Sequence, residues 1–194
     1  LIAFLLLFPL QSVQAGAEHD HDEHHETAAT LGSHVHGEVL LNLVIEGNDV
    51  AVEMISPAMN LVGFEHAPST QAQRESVNRV LTRLADPDTL FSLPSEAGCE
   101  LISSEIETAL AGDAPQTDAG TGHDAQDHGG QTAEHSDFPA FYQMRCANAG
   151  AIDTLNLALF GIFPGVENVR LQWIDNLKQG AVQRDASNPV VDLH

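Results

Sequence analysis

Apolar side chains recur at every second position from residue 39. Val39, Leu41, Leu43 and Ile45 alternate with Glu38, Leu40, Asn42 and Val44. A period of two marks a strand with one buried face. Gly47-Asn48-Asp49 supplies turn chemistry. Val50, Val52 and Met54 then resume the alternation until Pro57, which cannot donate to a ladder. Residues 34–56 therefore predict a β-hairpin, and residues 57–68 an irregular connection. From residue 70 the period becomes helical. Val77, Val80, Leu81 and Leu84 form one stripe, with Arg74, Arg79 and Arg83 off it. Thr70 and Gln73 have the spacing of a capping box, and Asp86-Pro87 ends the helix over 70–85.

Residues 99–110 alternate again, with Leu101, Ser103 and Glu105 opposite Ile102, Ser104 and Ile106. Residues 111–137 are rich in Gly, Ala, Asp, Gln and His, and are expected to be a disordered insertion. In 138–147, Phe138, Ala140, Tyr142, Met144 and Cys146 share a face. The insertion is thus the long loop of a hairpin. Residues 153–160 predict a further strand, with Leu155, Leu157 and Leu159 in phase, and 160–165 a turn. Val169, Leu171 and Trp173 alternate with Arg170 and Gln172, and 190–193 suggest a last short strand. The expected fold is α+β, an antiparallel sheet of about five to seven strands with one principal amphipathic helix.

The N-terminus changes the picture. Residues 1–10 (LIAFLLLFPL) are strongly apolar, and Val13 and Ala15 occupy the −3 and −1 positions of a small-residue cleavage site. Residues 1–15 read as a secretory signal peptide whose n-region is missing. A membrane anchor would take roughly 20 apolar residues, about twice this run. The mature chain is expected to be exported and to keep no stable membrane insertion. It would comprise a disordered tail, 16–33, and one domain, 34–194. In an exported chain two cysteines, Cys99 and Cys146, default to a disulfide. Metal ligation is their alternative role. A bridge would clamp the strands around the insertion and contribute about 4 kcal/mol by chain entropy.

The 194-residue chain carries a formal net charge of −21. That argues against nucleic acid or an anionic membrane as partner, and leaves cations or a basic protein surface. The placement of histidine separates these. Residues 18–26 read Glu-His-Asp-His-Asp-Glu-His-His-Glu, so every side chain there is an imidazole or a carboxylate. His123, His128 and His135 lie among Asp118, Asp124, Asp127, Glu134 and Asp137. No Lys or Arg precedes Arg74 or falls between Arg83 and Arg145. Neutral imidazole is the commonest side-chain ligand of zinc and its neighbours. His19, His21, His24, His25, His123, His128 and His135 are therefore candidate ligands in exchangeable sites; the bland alternative is a solvated acidic tail. His34 and His36, two apart at the start of the first strand, would share one face. His66, after Glu65, would complete a more ordered site, unless it is merely a satisfied loop histidine. There is no metalloprotease, hydrolase, P-loop or dinucleotide motif, so no catalytic residue is assigned and the chain is not expected to be an enzyme.

His34-Val35-His36-Gly37, the segment SPAMNLVGFEHAP over 56–68, the His-rich insertion between two cysteines, and Phe163-Pro164 leading to VRLQW over 169–173 together resemble the ZrgA-type zinc-uptake proteins of the Gram-negative periplasm. The likeness runs from His34 to about Leu193. It implies a periplasmic accessory protein that binds zinc and assists a zinc-importing ABC transporter, with the family's histidine-rich insertion carried here by His123, His128 and His135. Ligand type alone leaves two other readings open. One is buffering of copper or nickel, which imidazole also binds. The other is an acidic module that docks a basic partner.

Overall fold

The structure, a computed structural model, describes residues 35–111 and 136–193. Strands β1 (Glu38–Glu46) and β2 (Asp49–Pro57) form the hairpin that the alternation predicts, with Leu43 opposite Val52. Their inward side chains, from Val39 to Ile45 and from Val50 to Met54, are buried. Removing each from water contributes about 1.5–3 kcal/mol. Pro57 leads into a short helix, α1 (Ala58–Val62), within the segment expected to be irregular. Helix α2 (Gln71–Leu84) follows, and its start is fixed chemically. Thr70 accepts the Gln73 N–H, and the Gln73 side chain accepts the Thr70 N–H, a complete capping box.

Beyond α2 lie β3 (Phe91–Ser92), β4 (Cys99–Ile106) and β5 (Asp137–Cys146). Next come β6 (Thr154–Leu157), a one-turn helix α3 (Leu159–Ile162) and β7 (Asn168–Ile174). The chain closes with β8 (Gln179–Asp185) and β9 (Val190–Asp192). Six strands form one sheet in the order β4-β5-β2-β1-β7-β8, and β3-β6-β9 form a second.

One expectation is corrected. The large sheet is mixed, because β1 and β7 run parallel, from Glu38 opposite Asn168 to Val44 opposite Ile174. Side-chain alternation specifies which face is buried but not strand direction, and the long connection between these strands allows the crossover that parallel pairing needs. The α+β class, the prominence of one long helix and the Cys99–Cys146 disulfide are present. The insertion expected within that hairpin falls mostly outside the described residues.

The core fills the space on one side of the large sheet. Against the inward face of β1, β2, β5 and β7 pack Val77, Val80 and Leu84 of α2, with Phe91, Leu155, Leu157 and Val191 from the small sheet. Tyr142 is buried there. Its hydroxyl donates to the Leu84 carbonyl at 2.8 Å, satisfying one of the helix's last carbonyls, and burial pushes its pKa up. The opposite sheet face carries Leu40, Val44, Phe141 and Ile174 at partial exposure.

Candidate metal centre

The start of β1 departs from the sequence expectation. His36 and Gly37 lie in a tight turn closed by the Glu38 N–H on the Val35 carbonyl at 3.0 Å. Gly37 has φ +85°, where a side chain is strained. His36 therefore precedes the strand, and the two-residue strand period does not fix it relative to His34. The turn is held from three sides. Glu167 and Asn168 both donate their N–H groups to the Gly37 carbonyl at 2.8 Å. Asn60, buried in α1, accepts the Gly37 N–H at 2.7 Å and donates to the Glu38 carbonyl at 2.9 Å. Gly165 leaves room for this arrangement, since a Cβ there would come within 2.5 Å of the Asn60 carbonyl oxygen.

This frame presents His36 to Glu65. The imidazole Nε2 lies 2.9 Å from the carboxylate Oε1, with the His36 side chain 53% and the Glu65 side chain 16% exposed. His66 is exposed and stacks on Phe64 with ring centroids 5.2 Å apart. Its Nδ1 donates to the Ala67 carbonyl at 2.9 Å, since a carbonyl oxygen only accepts. Among the described residues no three His, Cys, Asp or Glu side chains converge as a ready metal site. His36 and His66 thus lie in neighbouring segments without forming one three-ligand group with Glu65. His34 lies outside the described residues, as do His19, His21, His24, His25, His123, His128 and His135.

The sheet nevertheless fixes where the segments bearing those histidines join the fold. The N-terminal segment enters at the start of β1, and the insertion returns at Asp137, the start of β5. Asp137 pairs with Pro57 at the end of β2, and Glu38 is only two residues before the Leu40–Ile55 pair. The Ala58 N–H also donates to the Ser136 carbonyl at 2.8 Å. Both segments are rooted at one end of the large sheet, the end that carries His36 and Glu65. Cys99 and Cys146 lie at the other end, where the Cys146 N–H reaches the Asn48 carbonyl in the β1–β2 turn.

The family model described as "ZrgA family zinc uptake protein" matches residues 33–193. The chain belongs to the ZrgA family. The ZrgA match takes in the Gly37 turn, Asn60, Glu65, the disulfide and the sequence positions of His123, His128 and His135. It begins after His19–His25, so the denser histidine tract lies ahead of the family's matched region. No curated protein matches the chain. Glu65 is noticeable in sequence only as the neighbour of His66. Asn60 gives no sequence signal as the clamp of the Gly37 turn, because its hydrogen bonds cross from α1 to a distant turn.

Proposed function

We propose that this ZrgA-family chain is a periplasmic zinc-binding protein that captures zinc and assists its import by an ABC-type transporter. The observation that carries the reading is the match to a zinc uptake family along residues 33–193. The histidine and carboxylate tracts supply the chemistry. His19, His21, His24 and His25 in the N-terminal tract, and His123, His128 and His135 between the cysteines, are the proposed capturing ligands, with His34, His36 and His66 as further candidates, the last two near the start of β1. Capture at tracts of many similar ligands favours exchange, which suits a protein that must also release its cargo. The Cys99–Cys146 disulfide is compatible with an oxidising compartment reached through the proposed signal peptide. Among the described residues no helix is long and apolar enough to cross a membrane. No catalytic step is assigned to the chain.

Deletion of the gene in its own host, followed by growth in a zinc chelator, tests this. The expected result is slower growth, restored by the intact gene or by added zinc. Normal growth under chelation with new sensitivity to copper or nickel would replace the import reading with metal buffering.

A further inference from the structure

One line of register partners crosses all six strands of the large sheet without a charge. It runs Gln179, Ile174, Val44, Ala51, Gln143 and Ser103, from β8 to β4. These side chains lie on the sheet face turned away from α2 and the small sheet. Val44 is 42% and Ile174 45% exposed, and the bulge in β4 adds Ile102 at 63%. Two open depressions flank Val44. One of about 560 Å³ lies towards Ile174 and Ala181, the other of about 350 Å³ towards Ala51 and Ile102. A partner that covers them gains roughly 25 cal/mol for each Å² of apolar surface removed from water.

The rows beside this line are charged, and mostly with one sign. Glu53 and Glu105 lie in one row, and Glu46, Asp49, Arg145 and Glu100 in the other. Arg145 pairs with Asp49 at 2.6 Å, and no Lys or Arg is left in these rows for the four glutamates. We infer that this face docks an amphipathic helix of a partner protein, one whose apolar stripe is bordered by Lys or Arg. The helix would set its apolar side chains on Val44, Ile174 and Ile102, and its cations would face the glutamates on either side. The length suits it. Five interstrand spacings of about 4.8 Å make a line of roughly 24 Å, which a helix of about 16 residues spans. Charge selects this occupant over two others. A second copy would bring glutamate against glutamate, and an anionic membrane would bring phosphate against glutamate. The inference stands apart from the zinc reading, since no residue of the line or its borders is a candidate ligand there.

The test uses the full mature chain, metal-free, and two synthetic helical peptides of about 16 residues. Both carry the same leucine stripe, bordered by lysine in one and by glutamate in the other. Amide NMR should show the lysine peptide moving the resonances of Val44, Ala51 and Ile174, and the glutamate peptide leaving them in place. Val44→Ser combined with Ile174→Ser should weaken the lysine peptide by about tenfold or more, with the parent Tm kept, since both side chains face solvent. Replacing Glu46, Glu53, Glu100 and Glu105 by Gln should also weaken it, and should flatten its dependence on salt. Shifts confined to the acidic tract at 18–26, with the line unmoved, would overturn the inference. An equal response to both peptides would overturn the choice of a basic partner. A concentration-dependent dimer that shifts the same three residues would give the face to a second copy instead.

Discussion

Cys99 and Cys146 are register partners at the end of the β4–β5 hairpin farthest from the insertion. At the insertion end the hairpin is closed instead by the Ile106–Ala140 pair and by the Glu107 N–H on the Pro139 carbonyl at 2.9 Å. The bridge therefore stabilises the fold as a staple of two strands and does not pinch the base of the insertion. For a sequence separation of 47 residues the chain-entropy model gives about 4 kcal/mol. Replacing both cysteines by Ser should lower Tm by about 10 °C in a calorimetric scan. It should leave the number of zinc ions bound at room temperature unchanged. An unaltered Tm would contradict this role.

Gly180 of β8 lies against the Trp173 indole. A Cβ at 180 would sit 2.1 Å from Cζ2 of that ring. Gly180→Ala should cost about 1–3 kcal/mol through overpacking. The chain has a single tryptophan, so its fluorescence should report the displacement directly. Adding Trp173→Phe should make the double variant less damaged than the sum of the two single changes.

Asn60 bonds both sides of the Gly37 turn. Asn60→Ala leaves the Gly37 N–H and the Glu38 carbonyl without their partner. Urea unfolding should show a loss of about 2–3 kcal/mol, since a buried unsatisfied group costs about 1–3 kcal/mol. Unchanged stability would mean that the turn holds without α1.

Two exposed aspartates shape the acid limb of stability. Asp175 is held below the ordinary value of 3.8 chiefly by the backbone N–H groups of Leu177 and Lys178, each at 2.6 Å. Asp185 is lowered chiefly by the Ser187 hydroxyl and backbone N–H. A depressed folded pKa contributes stability that is present above 3.8 and lost as the pH falls through the folded value below it. Asp175→Asn and Asp185→Asn should therefore lower Tm at neutral pH and converge on the parent curve below pH 3.8. A deficit of constant size down the whole pH range would contradict this.

Strand β1 was legible because Val39, Leu41, Leu43 and Ile45 never miss a beat, and α2 because Thr70 and Gln73 announce its start. Strand β8 was not. Its sequence QGAVQRD offers Val182 alone as a large apolar residue, since an edge strand buries little. In β4 the register shifts between Leu101 and Ser103, and Ile102 is left 63% exposed. A bulge of this kind leaves no mark on the alternation itself. The His36 turn matches a strand pattern because His34 and His36 fit a period of two. The overriding fact is Gly37 at positive φ, held by Asn60 through bonds that no local pattern encodes. Histidine and acid spacing exposed the candidate ligands as residue types, while the His36–Glu65 pair needed the fold to bring together residues 29 apart in sequence.

Competitive zinc titration at pH 7.5 of the mature chain from residue 16, purified without an affinity tag, tests the central claim most directly. A parallel sample lacks residues 18–26 and 123–135. The account predicts more than one zinc bound by the intact chain, most of it lost in the deletion. It also predicts that binding weakens below pH ~6, as free imidazoles protonate. Equal stoichiometry in the two samples, or no zinc bound by the intact chain, would contradict it.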